Sequence, residues 1–537
     1  MASDDRAAVL LKRLDKLAEQ RSTWEHHWQQ IAEYIVPRKA DVTKSRSAGD
    51  KRMELIYDGT AIHAAEMLSA SLHGMLTNPS MAWFDLAFVE EELNTDDEAK
   101  EYLESVTQIM QREFQRSNHA EQVHELYHDL ITFGTGVMYI ENAPEGGVRF
   151  ATRHISECYL AEDEYGRVDT VFRKFKLSLR AAAIQFGEDA LGDKLVRKLE
   201  RNPYEEVTFV HVVMPRDERD AQKIDSGNKP FASIYIEPTQ KIIIREGGFD
   251  EFPYVCPRFL KASFEQGYGR SPAMTALPDT MMINAMSKVT ITAAQKQVDP
   301  PLMVPDDGFM LPIKTKPAGL NFYRSGTRDR IEPLQIGANN PLGLNLEEQR
   351  RQAIRSAFYV DQLVLGAGPQ MTATEVVQRT EEKMRLLGPV LGRLQAELLQ
   401  PMIERVFALL IRQGKIPEAP ETIEQESLDI EYVSPLAKAQ KQSDVQGIMR
   451  LFELLSPLAG IDPGVFDHLD TDGLVRYMLR TLSIPASVTK GEGEIARDRQ
   501  VRQEQQAQQQ ELNEATQTAE ALGSVAPAIK VLQGGGQ

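Results

Sequence analysis

The chain has 537 residues, of which 42% are hydrophobic and 26% charged, and carries a formal net charge of −18. That length suggests roughly three or four domain-sized units, and the balance is that of a soluble globular protein, which excludes wholesale disorder. No run of about 18 apolar residues exists to span a bilayer, and the acidic excess argues against a general nucleic-acid coat, which needs a basic surface.

The first 35 residues read as one helix, because Leu10, Leu14, Leu17, Trp24, Trp28, Ile31 and Ile35 recur at helical spacing and Pro37 ends the run. The opening lacks the continuous apolar core of a secretion signal, so a cytoplasmic site of synthesis and assembly is expected. Further helices are predicted at about 57–77, 96–115 and 119–132. After Phe133-Gly134-Thr135-Gly136 the text changes to strands: VMYI, VDTVFRKFK, VTFVHVVM, FASIYI and KIII. Pro238-Thr239-Gln240 supplies a hairpin turn between the last two. Cys158 and Cys256 lie in strand-like text and read as buried, reduced thiols. This half is a mixed α+β body.

From Ser271-Pro272, a good helix start, a helical run continues to about 297, with Pro278 expected to perturb its first turns. Asp299-Pro300-Pro301 breaks it, about 35 residues rich in Pro, Gly and basic side chains follow, and a second helix begins near Leu344. The pair reads as a helical hairpin with an elaborated tip. A short segment, 361–371, precedes a long helical region opened by a capping box at Thr372 and Glu375. Gly388-Pro389 and Pro401 should kink that region. A strand (LDIEYV), helices at 443–456 and 471–482, and a Gln- and Glu-rich tail complete the chain. The tail is either helical with partners of its own kind or a disordered low-complexity segment.

Chemistry-bearing motifs are scarce. His124-Glu125-Leu126-Tyr127-His128 is an HExxH on a predicted helix, the arrangement in which two histidines hold zinc and the Glu is a general base. No clear third ligand follows, and Val123, Leu126, Leu130 and Ile131 define a buried side that leaves the histidines a solvated face. No GxxxxGK[ST] phosphate loop, dinucleotide fingerprint or GxSxG elbow occurs, so any ATP-driven motor must be another protein, and no cofactor is expected. The tip of the hairpin gathers Lys314, Lys316, Arg324, Arg328 and Arg330 with Phe309, Phe322 and Tyr323. Such a mixture suits nucleic-acid or partner contact and equally a solvated loop. Arg350, Arg351 and Arg355 occupy one side of the second helix with Glu347 and Glu348 nearby, so ion pairs compete with a channel-side role.

Several long strings resemble the portal, or head-to-tail connector, family of short-tailed bacteriophages. They are WQQIAEYIVPR (28–38), YDGTAIHAAEMLSASLHGMLTNPSMAWF (57–84), LITFGTGVMYIE (130–141), GYGRSPAMTALPD (267–279) and QVDPPLMVP (297–305). IRSAFYVDQL (354–363) and MTATEVVQRTEEKMRLLGPVLGRLQAELLQPMIERVF (371–407) continue the series. The resemblance covers about residues 1–440 and weakens in the tail. It implies a predominantly helical α+β subunit: a wing over 1–265, a descending stem helix over 266–297, a clip over 298–340 and an ascending stem helix over 341–360. A tunnel loop over 361–371 would include Asp361, Gln362, Leu363, Val364, Leu365, Gln370 and Met371. Kinked helices and a strand over 372–442 would cross the wing, and 443–537 would form a crown and C-terminal barrel. The resemblance further implies a dodecameric ring at one capsid vertex, with double-stranded DNA in its channel. Its partners would be the terminase large subunit, a tail adaptor, and capsid and scaffolding proteins, with no membrane and no bond made or broken. The alternative is the zinc peptidase of His124, Glu125 and His128, or another oligomeric virion protein.

Overall fold

The structure, a computed structural model, describes residues 3–303 apart from 45–46, 48, 90–96, 221, 224, 264 and 266; then 332–333, 341–363, 387–420 and 428–431; and scattered stretches between 447 and 509. The described residues form two compact units, one drawn from 1–83 and 109–416, the other from 84–108 and from 417 onward. None of the described helices is long and apolar enough to cross a membrane.

In chain order the larger unit opens with α1 (Ser3–Ile35) and α2 (Thr60–Leu76), and after α3 (Asp97–Arg116), which runs from the smaller unit into it, continues with α4 (His119–Phe133). Strands β2 (Met138–Asn142), β3 (Val148–Thr152), β4 (Cys158–Glu162) and β5 (Val168–Ser178) follow, then α5 (Leu179–Phe186) and α6 (Asp193–Arg201). β6 (Glu206–Pro215), β7 (Phe231–Glu237), β8 (Ile242–Phe249) and β9 (Tyr254–Val255) complete the sheets. β1 (Asp85–Phe88) belongs to the smaller unit, where it pairs antiparallel with β12 (Leu428–Glu431) in register Asp85↔Glu431. In that unit 447–455 and 497–506 are helical, within the expected crown helix and polar tail.

Five strands pair antiparallel in the order β4-β5-β6-β7-β8. Successive side chains of these strands go to opposite faces. One face, with Phe172, Val212 and Ile234, packs on Ala7, Leu10 and Leu14 of α1. The other presents Arg173, His211 and Tyr235, which are direct cross-strand neighbours. Part of that second face is covered by α5 and α6, where Leu179, Ala182 and Leu195 pack on Phe175 and Phe209. The small sheet β3-β2-β9 completes the unit. The β7–β8 turn forms at Pro238–Gln240 as expected, and the Glu237 carboxylate accepts from the amides of Thr239 (3.1 Å) and Gln240 (2.5 Å).

Two helices then form the expected hairpin. α7 (Pro272–Val298) is 27 residues long, about 40 Å, and packs along α8 (Pro341–Ala357). α7 runs through Pro278 to Val298, close to the end read from sequence, and the Thr280 hydroxyl donates to the Ala276 carbonyl at 2.8 Å in the same turn. Beyond α7, β10 (Leu302–Met303) pairs with β11 (Glu332–Pro333), so the insert leaves and returns through one antiparallel ladder. α9 (Val360–Leu363) follows α8 directly, so the first residues expected in a loop over 361–371 are helical instead.

The last long helix is built in pieces. α10 (residues 387–394) leads into a π turn, Gln395–Leu399, and then α11 (Gln400–Arg412). The cause is Pro401, which has no N–H to give the carbonyl of Glu397; widening the preceding turn absorbs the misfit. The expected kink is therefore a bulge.

Candidate functional site

The head of the helical hairpin is fixed before its chemistry is considered. Gly134 ends α4 in a left-handed conformation (φ 80°), the role its place between helix and strand predicts. The chain segment 267–270 returns against it: Thr135 Oγ1 accepts from the Gly269 amide at 2.8 Å. Ser271 then caps α7, accepting from the Met274 amide (3.1 Å) while its hydroxyl donates to the Thr132 carbonyl (2.8 Å). Beside this joint Trp28 Nε1 donates to the Phe133 carbonyl (3.1 Å), and Trp28 meets Tyr268 edge-on at 5.1 Å.

Polar contacts between α7 and α8, and from both to the start of α2, are specific. Arg350 reaches Asp279 of α7 (2.8 Å), and the Thr290 hydroxyl donates to Glu347 of α8 (2.7 Å). Arg351 donates to Asp58 (2.9 Å) and to Glu347 (3.2 Å), while Arg355 pairs with Glu348 (3.1 Å). Asn284 completes the cluster, its carbonyl oxygen accepting from the amides of Tyr57 (2.7 Å) and Asp58 (3.1 Å). Burial alone would raise the Asp58 pKa, but hydrogen bonds from Thr60 and Arg351 and the guanidinium charge outweigh it and hold the carboxyl below its usual range. Elsewhere on α7 apolar side chains lie open: Met282 and Val289, seven residues apart and so on one side of the helix, are 53% and 68% exposed.

A family model for the bacteriophage head to tail connecting protein matches residues 7–489. The chain belongs to that family. The probable portal protein of Bordetella phage BPP-1 is 32% identical over 537 residues, covering 98% of this chain and 97% of that one. The portal protein of Salmonella phage epsilon15 is 30% identical over 94% of this chain and 93% of its own length. That of Enterobacteria phage T3 is 20% identical over 84% and 83%.

Against this connector family, the residues singled out from sequence divide into three groups. Arg350, Arg351 and Arg355 come together on α8, and each is matched by an acid of the same chain. Asp361 lies in α9 and accepts from the Ser356 hydroxyl (2.7 Å), with Gln362 and Leu363 in the same turn. Val364, Leu365, Gln370 and Met371, and the clip residues Lys314, Lys316, Arg324, Arg328 and Arg330, lie outside the described residues.

The HExxH residues are brought to different surroundings. Glu125 is held by Lys39 at 2.9 Å; burial raises its pKa, but the Lys39 hydrogen bond and charge prevail and lower it. His128 is buried, not on the solvated face expected, because α1, α2, α7 and β3 all pack on α4. Burial, with Arg38 and Lys39 nearby, pushes its pKa down to about 3. Among the described residues no group of three His, Cys, Asp or Glu is placed to hold a metal.

Sequence reading missed the acids that pair with α8, Asp58 and Asp279, since charges so far apart in the chain carry no local pattern. It also missed Arg258, whose guanidinium pairs with Glu162 and donates to Glu397 (2.8 Å), itself presented by the π turn. A lone Arg in apolar text does not reveal its distant partners; only Pro401 hinted at the unusual turn.

Proposed function

We propose that the chain acts as a portal subunit, a ring member through which phage DNA enters, stays in and leaves the capsid. The observation that carries this is the end-to-end similarity to two proteins named as portals, above 90% of both chains in each case. The hairpin of α7 and α8, with its insert returning through β10 and β11, fits a stem that ends in a clip. The exposed Met282 and Val289, on one side of α7, supply what a ring needs, a face that is satisfied only by a neighbour.

The finer reading is a twelve-membered ring. Its clip, with Lys314, Lys316, Arg324, Arg328 and Arg330, would meet the terminase large subunit and later a tail adaptor. Its tunnel loop would run from the end of α9 to Met371. Arg350 and Arg355, 35% and 42% exposed, would meet passing phosphates while tethered to Asp279 and Glu348. Tethered cations hold phosphates weakly, which suits a conduit, since tight binding opposes movement. Capsid and scaffolding proteins would surround the ring at one vertex of the virion.

Electron microscopy of the purified chain with rotational averaging tests the reading. Rings near twelvefold, with a hole wide enough for duplex DNA, are expected. Monomers or compact dimers across salt and concentration would overturn self-assembly as the chain's own property.

A further inference from the structure

Away from the stem, the larger unit contains a cleft of about 410 Å³ between its two sheets. Its construction follows from strand alternation. On β5, β6 and β7 the cross-strand row Arg173, His211, Tyr235 faces it, and on β2 and β3 the row Tyr139, Glu141, Arg149 does so from the opposite side. Arg153, just past β3, enters the same space.

The charges there do not balance. Arg173 has Glu157 at 2.9 Å and Arg149 has Glu141 at 3.5 Å. Arg153 makes no ion pair among the described residues, and its buried Nε has no hydrogen-bond partner. Lys176 adds an exposed cation at the rim. In a chain of net charge −18, four cations of this cleft, Arg149, Arg153, Arg173 and Lys176, have two carboxylates between them, Glu141 and Glu157. Arg153 is half-buried and its Nε is out of water without an acceptor, a costly arrangement that an oxyanion in the cleft would relieve.

The rest of the lining is aromatic. His211 and Tyr235 stack at 4.1 Å with planes 6° apart, and Tyr139 and Tyr254 lie 4.8 Å apart. Tyr254 and His211 are hydrogen-bonded to each other (3.3 Å), and His211 also meets Ser233 (3.0 Å). Burial, then the charges of Arg173 and Arg153, push the His211 pKa down to about 3, so it adds no competing charge.

We propose that this cleft binds a small phosphate ester with a flat aromatic body, of the size and chemistry of a nucleoside monophosphate. Arg153 and Arg173 take the phosphate, and the ring edges of Tyr139, Phe175 and Tyr235 take the base. The volume lies within the range of small-molecule sites, roughly 300–1,000 Å³, and is too small for a duplex.

Calorimetric titration of the full-length chain with deoxyadenosine 5′-monophosphate, deoxyadenosine and inorganic phosphate tests this. The monophosphate should bind at least tenfold tighter than either fragment. Arg153→Gln should weaken it at least tenfold, and Lys176→Gln, on the exposed rim, by two- to fivefold with an unchanged melting temperature. If Arg153→Gln does not fold, the rim variant decides. No heat with the monophosphate, equal affinity for inorganic phosphate, or a Lys176→Gln variant indistinguishable from the parent overturns the assignment. A short duplex binding tighter than the monophosphate, with the same variant dependence, would also overturn it in favour of DNA backbone.

Discussion

Gly134 and Gly269 cross so closely that a Cβ built on Gly134 would stand 2.2 Å from the carbonyl oxygen of Gly269. Both glycines lie where the α+β body hands over to α7, and Gly134 is also left-handed at φ 80°. Alanine there pays twice, about 1 kcal/mol for the backbone conformation and about 1–3 kcal/mol for forcing two main chains apart. Gly134→Ala should therefore cost about 2–4 kcal/mol in denaturant unfolding. Gly388→Ala, inside α10 with nothing within 4 Å, should be neutral or gain about 0.5–1 kcal/mol. Equal effects at the two sites would show that the crossing does not fix the joint.

Stability against acid should be set by buried imidazoles. His119 is packed among Trp83, Phe114 and Phe150, and burial, with a smaller effect of His73, lowers its pKa from 6.5 to about 3. A folded pKa below the unfolded one means the unfolded chain binds the extra proton between the two values. Stability from keeping His119 neutral is thus full above pH 6.5 and is lost as pH falls toward about 3. His119→Phe keeps the ring and removes the titration. The variant's unfolding free energy should fall less steeply between pH 6.5 and 4 than the parent's, as followed by circular dichroism; parallel slopes would reject the assignment.

The tie between Arg351 and Asp58 joins α8 to the start of α2. The Asp58 side chain is 8% exposed, so Arg351→Met leaves a nearly buried carboxylate short of a donor and should cost about 1–3 kcal/mol. Asp58→Asn combined with Arg351→Met should cost less than the two singles summed, by about 1 kcal/mol. Strict additivity in the double-mutant cycle would mean the pair contributes nothing beyond its surroundings.

Ring assembly should be separable from folding on the exposed side of α7. Val289→Lys and Met282→Lys place a charge on surface that the single chain leaves open, so monomer stability should move by no more than about 0.5 kcal/mol. Size-exclusion chromatography should nonetheless show rings lost. Intact rings from the double variant would place the subunit interface elsewhere.

The proposed tunnel loop and clip are tested by leaving the framework whole. Because Val360–Leu363 are helical, the deletion is best drawn at 364–371. Rings should persist while packaging or DNA retention fails; filled, stable heads would sink the proposal. Replacing Lys314, Lys316, Arg324, Arg328 and Arg330 by Glu should weaken docking of terminase or adaptor at physiological salt.

Periodicity made much of this legible. The apolar positions from Leu10 to Ile35 marked α1, and the β-branched and aromatic text of VTFVHVVM and FASIYI marked strands, which do divide their side chains between two faces. Short elements escaped. β3 is five residues, and α5 is eight, although Ser178 before it and Gly187 after it are a readable cap and stop. The polar joints escaped for a different reason. Asp58 and Arg351 are far apart in sequence, and nothing in either neighbourhood announces the other. The same holds for the basic cleft, whose cations lie on separate strands and meet only once the register is set. Composition was misleading there, since a net acidic chain conceals a local excess of positive charge.

The π turn before Pro401 has a consequence for the phase of the helix. Ahead of it the buried positions Leu387 and Leu394 are seven residues apart, and beyond it Met402 and Leu409 are again seven apart. From Leu394 to Met402 the interval is eight. The single extra residue advances the chain without rotating its apolar side, much as a leap day restores a calendar. Removing one residue from 395–399 would make the helix regular and turn α11 by about 100°, taking Met402, Val406 and Leu409 off the core and Glu397 away from Arg258. In this stretch, the length of the chain and the direction its side chains face are set independently.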